Sequence, residues 1–142
     1  MSVKLGVKKV NPEAVIPKYA HPSDSGFDLS SVENVVIEAH SYSLVKTGLA
    51  FNIPKDHEIQ VRSRSGLGTK GLQAHFGTID EAYRGEVGVI LYNHNDKPWI
   101  VTKGERIAQA VIAPIVRADL FEVNELDETE RGDNGFGSTG VK

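Results

Sequence analysis

Gly77-Thr78-Ile79-Asp80-Glu81-Ala82-Tyr83-Arg84-Gly85-Glu86 sets an acid and a tyrosine close together, just after an isoleucine. Val87, Val89 and Leu91 follow on alternate positions, which outlines a β-hairpin with Asp80 and Tyr83 at its working end. A carboxylate placed there can activate a water, if it is held within hydrogen-bond reach and kept ionised. A tyrosine beside it can check a sugar.

Four other loops carry residues that could do chemistry, and each also has a plain structural reading. In His21-Pro22-Ser23-Asp24-Ser25-Gly26-Phe27-Asp28-Leu29, an Asx-type turn before a strand accounts for the pattern. Alternatively Asp28 is a hard oxygen donor for Mg²⁺, which keeps most of its waters and needs only one or two carboxylates, while Asp24 braces the loop. Arg62-Ser63-Arg64-Ser65-Gly66-Leu67-Gly68 reads as a solvated glycine turn, or as an anion site. In the second reading Arg64 offers a planar fork, Ser65 a hydroxyl, and Gly66 close backbone approach. The spacing is not that of a Walker loop. In Lys103-Gly104-Glu105-Arg106-Ile107-Ala108-Gln109, a turn enters a core strand, and Gln109 is a polar residue in an apolar run. A buried amide must find partners, so Gln109 makes either a structural hydrogen bond or a phosphate contact. The tail, Arg131 to Gly140, is either a loose end or a flap that closes over phosphate and base. It holds an arginine, several glycines, the hydroxyls of Ser138 and Thr139, and Phe136, an aromatic able to stack on a base.

The elements that must position these loops are short and apolar. Val3, Leu5 and Val7 read as an opening strand, Val35 to Ile37 as a second, and Val45, Thr47, Leu49, Phe51 and Ile53 as one long alternating strand. Ile59 and Val61 continue after the Pro54-Lys55-Asp56 turn. Trp99 to Val101 and the run Ile107 to Val116 follow, the latter expected to be buried on both faces with Pro114 at a break or edge. Leu120, Phe121 and Val123 read as a last strand. Many short strands and no amphipathic helix predict an all-β sandwich, jelly roll or barrel. The boundaries drawn are a core over residues 1–130 and a mobile, glycine-rich arm over 131–142.

Composition narrows the partners. The chain has 142 residues, enough for one domain with a core, and a net charge of −3, which argues against gripping a nucleic-acid backbone. With no cysteine, thiolate catalysis and disulfides are out, and a reducing cytoplasm is a compatible setting. No signal peptide or membrane span is expected.

Taken together and in this order, the five loops resemble the trimeric dUTPase family (deoxyuridine 5'-triphosphate nucleotidohydrolases) over nearly the whole chain. The resemblance rests on Asp24-Ser25-Gly26-Phe27-Asp28-Leu29, Arg64-Ser65-Gly66-Leu67, Gly77-Thr78-Ile79-Asp80 with Tyr83-Arg84-Gly85, Gly104-Glu105-Arg106-Ile107-Ala108-Gln109, and Arg131-Gly132 with Gly135-Phe136-Gly137-Ser138-Thr139-Gly140. It implies a jelly-roll-like (β-clip) homotrimer that uses Mg²⁺ to hydrolyse dUTP to dUMP and pyrophosphate, keeping uracil out of DNA and supplying dUMP for thymidylate synthesis. It implies that Asp80 orients the attacking water and that Asp28 holds the hydrated metal, with Asp24 in support. Tyr83 would exclude a ribose 2′-hydroxyl, and the backbone of Gly77, Thr78 and Ile79 would read uracil. Arg64, Ser65, Gly66 and Gln109 would meet the phosphates. The tail of one subunit would close over a site built by two others, with Arg131 on the outer phosphates, Phe136 and Gly137 over the base, and Ser138 and Thr139 adding hydroxyls.

The chain departs from the family pattern in places. Ser63 stands where proline is frequent, the segment between Leu67 and Gly77 is short, and the asparagine that commonly meets uracil there is missing. His75 is the nearest polar residue to that gap. Two other readings remain: a dCTP deaminase of the same fold family, which would need a further acid/base pair, and a nucleotide-sensing regulatory binder.

Overall fold

The computed structural model describes residues 2–137. The chain runs β1 (Gly6–Lys9), β2 (Phe27–Ser30), β3 (Val35–Ile37), β4 (Tyr42–Lys46), β5 (Leu49–Asn52), β6 (His57–Arg62), α1 (Ser65–Gly68), β7 (Leu72–Ala74), β8 (Gly77–Ile79), β9 (Gly88–Asn93), β10 (Trp99–Val101) and β11 (Arg106–Pro114). Two larger sheets, β2-β11-β6-β8 and β4-β9-β7, are joined by the ribbons β1-β5 and β10-β3, and every pairing is antiparallel. The architecture is all-β, as the many short strands and turns predict, and is consistent with the jelly-roll-like form that the resemblance implies. Among the described residues, no helix is long and apolar enough to cross a membrane.

Alternation builds the core. Val89, Leu91 and Asn93 of β9 point inward while Gly88, Ile90 and Tyr92 do not, as a pleated strand requires. Their side chains meet Ile59 and Val61 of β6 and Ile107, Ala108 and Ala110 of β11 in one buried cluster. Asn93 is the polar member. Its amide nitrogen donates to the carbonyls of Ile37 and Lys97 at 3.0 and 2.8 Å, so burial leaves no donor stranded. β11 is buried on both faces only over its first half. From Val111 onward its side chains are partly exposed, and Pro114 ends the strand opposite His57, where its missing N–H costs nothing.

Four expectations need correction. The opening strand starts at Gly6 rather than Val3, because its partner β5 reaches only from Leu49 to Asn52. The alternation from Val45 to Ile53 is two strands. The chain turns at Gly48, whose φ of 72° is a glycine conformation, and Leu49, Ala50 and Phe51 are all buried beyond it. The stretch around Asp80 is not a hairpin: β8 pairs with β6, whereas β9 pairs with β4 and β7. The loop between them crosses from one sheet to the other and docks at Val87, whose N–H donates to Leu49 O at 2.8 Å and whose carbonyl accepts the Thr47 hydroxyl at 2.7 Å. Finally, Leu120, Phe121 and Val123 form no strand; Leu120 and Phe121 are 89% and 80% exposed, with no pairing partner among the described residues.

Candidate active site

β8 is the last strand of its sheet. Gly77 and Ile79 lie opposite Val61 and Ile59 on one side, and among the described residues no strand covers the other. Alternate backbone groups along that free edge are open to a ligand. A cleft of about 260 Å³ opens beside it, lined by Gly77, Thr78, Ile79, Asp80 and Tyr83 together with Val61, Glu86, Val87 and Gly88. The first five are the residues singled out from sequence. Val61 of β6, Glu86 and Val87 of the loop, and Gly88 at the start of β9 complete the lining.

The loop is held in shape both by its own bonds and by ties to other segments of the chain. Tyr83 N–H donates to Asp80 O at 3.0 Å and closes the turn. Arg84 donates to the carbonyls of Glu81 and Tyr83 at 2.6 and 3.1 Å. The Tyr83 hydroxyl donates to Glu86 O at 2.9 Å, and the Glu86 carboxylate accepts the Gly48 N–H at 2.9 Å. An acid, an aromatic ring and an unpaired strand edge therefore share one cleft.

A second cluster forms around Asp28 on β2. One of its oxygens is 3.1 Å from Arg64 Nε, and the other is 3.5 Å from Arg106 Nη1. Arg106 was not singled out from sequence, where an arginine after a turn looks like a solvated charge. Arg64 precedes α1, and Ser65 and Gly66 open that helix, exposed to solvent. A Cβ on Gly66 would meet nothing within 4 Å, so its backbone is open to approach. Gln109 donates to Ser63 O at 2.9 Å, the structural hydrogen bond among its two readings. Its Oε1 lies where a Cβ on Gly26 would come within 2.7 Å, so glycine at 26 lets β2 close on β11. Ser63 exchanges two bonds with Ala74, its hydroxyl donating to the carbonyl and accepting the N–H. Asp24 accepts the His21 N–H at 2.9 Å, bracing its loop.

The two clusters sit at opposite edges of one sheet. Gly77 on β8 faces Val61, which faces Ala110, which faces Phe27 on β2, next to Asp28. Three strand spacings of ~4.8 Å put about 14 Å between those edges. His75 belongs to neither cluster: its N–H donates to Ile90 O, and its ring lies 6.1 Å from Tyr92. In the tail, Arg131 Nε donates to Asn134 O at 2.9 Å, and Phe136 is fully exposed. Gly137 is the last described residue and has a φ of 86°. Ser138 and Thr139 lie outside the described residues.

Among the described residues, no three His, Cys, Asp or Glu side chains converge on a point. Asp28, one carboxylate beside two guanidinium groups, has the donor chemistry of a site that would hold a hydrated Mg²⁺ through water.

The dUTPase family profile matches residues 12–140. The chain is 52% identical to the deoxyuridine 5'-triphosphate nucleotidohydrolase of Nautilia profundicola over 97% of this chain and 99% of that one. It is 46% identical to the Helicobacter pylori protein of the same name, over 98% of each. A Staphylococcus bacteriophage 80alpha dUTPase carrying dUpNHpp superposes with a TM-score of 0.93 at 32% identity, covering 99% of this chain and 100% of that one. The phage phi11 dUTPase, described as coordinating a structural Mg(II) ion, gives 0.83 at 27% identity over 89% and 100%. The chain belongs to the dUTPase family.

Proposed function

We propose that the chain hydrolyses dUTP to dUMP and pyrophosphate, with Asp80 as the base. The carrying observation is the cleft at the free edge of β8, where Asp80, Tyr83 and the Gly77–Ile79 backbone meet. Uracil pairs with the open backbone groups of β8, and the deoxyribose lies against Tyr83. Asp80 takes a proton from water as the water oxygen bonds to the α-phosphorus. The bond to the bridging oxygen breaks, and pyrophosphate leaves. Chemistry of this kind rests on positioning and charge neutralisation. Arg64 supplies a guanidinium for the phosphates, with Ser65 and Gly66 beside it, and Gln109 holds the Ser63 carbonyl that precedes Arg64. Mg²⁺, when bound at Asp28 through water, offsets phosphate charge and orders the triphosphate.

The separation of the two clusters supports a shared site. A nucleotide seated at β8 of one chain meets the Asp28–Arg64 corner of a neighbour, which leads to a homotrimer with three composite sites. The tail then closes from a third chain, with Arg131 on the phosphates and Phe136 over the base. One assay separates the rival readings: incubation with dUTP and with dCTP, each with Mg²⁺, followed for pyrophosphate and ammonia. Pyrophosphate from dUTP alone is expected. Ammonia from dCTP would make the chain a deaminase, and neither product would leave a nucleotide binder.

A further inference from the structure

Glu81, the residue after Asp80, is held from outside its loop through both carboxylate oxygens. One accepts from Arg117 Nη2 at 3.0 Å, and the other accepts the backbone N–H of Asp56. The second arm of the Arg117 fork reaches the Asp56 carboxylate at 3.1 Å. Three segments far apart in the chain thus meet: the turn between β5 and β6, the Asp80 loop, and the chain just beyond β11. Ile115 N–H donates to Asp56 O at 2.8 Å and ties the last of these to the first. Asp56 has a φ of 62°, uncommon outside glycine, at the place where its N–H, carbonyl and carboxylate are all engaged.

Little of this serves global stability. The side chains of Arg117 and Asp56 are 55% and 60% exposed, and ion pairs in water contribute little to folding. The local consequence is larger. Within the loop, the Tyr83 N–H holds the Asp80 carbonyl and Arg84 holds the carbonyls of Glu81 and Tyr83, while the residue next to Asp80 is held from outside by the bonds to Glu81. A catalytic group displaced by ~1 Å can lose about 100-fold in rate. We infer that Arg117 and Glu81 are positioning residues for Asp80, so that the chain leaving β11 holds the base in place. Neither residue touches the reacting atoms. The inference rests on the reading of Asp80 as the base.

The test uses the full-length chain with dUTP and Mg²⁺, and compares Arg117→Ala, Arg117→Lys, Glu81→Gln, the Arg117→Ala/Glu81→Gln pair, and Asp80→Asn. Arg117→Ala and Glu81→Gln are each expected to lower kcat about 10- to 100-fold with KM within about threefold, as lost positioning does. Melting temperatures should stay within about 2 °C of the parent. The pair should lose clearly less than the product of the two single losses, because both variants break the shared Arg117–Glu81 contact. Arg117→Lys, which keeps the charge and loses the fork, should recover part of kcat. A kcat within about twofold of the parent in both single variants overturns the inference, as does a kcat loss matched by a melting loss or multiplied in the pair. If Asp80→Asn still turns over, the reading of Asp80 fails first. If it does not, Arg117 and Glu81 alone decide.

Discussion

Tyr83 lies so close to Gly85 that a Cβ on residue 85 would fall 2.5 Å from the phenolic oxygen. The same hydroxyl donates to Glu86 O, so the ring is fixed by contact along its length and by a bond at its tip. Gly85→Ala should therefore push the ring off the loop. Because the ring is 48% exposed, it can swing away and the fold itself should lose little stability. The sharper readout is selectivity. If the ring is what excludes a 2′-hydroxyl, the kcat/KM ratio of dUTP to UTP should fall about tenfold or more, which amounts to the loss of a steric wall. An unchanged ratio with a displaced ring would show that the discrimination is made elsewhere.

Asp80→Asn keeps the shape of the cleft and removes the base. Loss of a positioned general base is worth ~10²–10⁴ in rate, so kcat should fall by that order. Calorimetric affinity for a non-hydrolysable dUTP analogue should stay within about fivefold, since the substitution leaves the β8 edge untouched. Full turnover in this variant would sink the mechanism.

Local pattern revealed more of this molecule than of its neighbours in space. The alternation at Ile59 and Val61 marks β6 correctly, because each residue's side is set by the next. The same rule misleads from Val45 to Ile53, where a period of two runs unbroken through the turn at Gly48. Val87, Val89 and Leu91 suggested a partner for β8, since adjacent strands usually pair. The choice of β6 instead was made by packing from another part of the chain. The motif residues could be named in advance, Arg106 among them, whereas the contacts of Arg106 and Arg117 could not. Arg106 meets Asp28, and Arg117 meets Asp56 and Glu81, only after the sheets assemble. Leu120 and Phe121 show the converse: a strand-like pattern without a strand, because pairing needs a second edge.

Gly66 separates the needs of the fold from those of the ligand. Its Cβ would meet nothing, its φ lies outside the left-handed region, and it sits inside α1. Alanine there should stabilise the free protein, or at worst leave it unchanged, because Gly-to-Ala in a helix is worth up to ~1 kcal/mol. If phosphate oxygens approach this backbone, the same methyl group should raise KM for dUTP about tenfold or more, as a clash in the bound state does. Thermal melting without ligand and steady-state kinetics give the two numbers. Unchanged kinetics would show that the loop is a turn and nothing else.

The tail offers the cleanest separation of fold from function. In the described part, Arg131 bonds to Asn134, Gly132 N–H bonds to the Thr129 hydroxyl, and Phe136 is bare. None of these contacts reaches the core. Removing residues 131–142 should leave the melting temperature within about 2 °C of the parent, because the described part of the arm, residues 131–137, adds nothing to the buried core. Catalysis should suffer, since a lid that excludes water and adds an arginine to the phosphates completes the site only on closure. The expected result is a kcat loss of about 100-fold or more, on the scale of groups that bind developing charge. A second measurement locates the effect. Full-length chains carrying Asp80→Asn, mixed with tail-deleted chains and allowed to exchange subunits, should regain activity if the tail serves a neighbour's site. In the mixture, some sites combine an intact Asp80 from one chain with a tail from another. No recovery after verified exchange would mean that each tail serves its own chain.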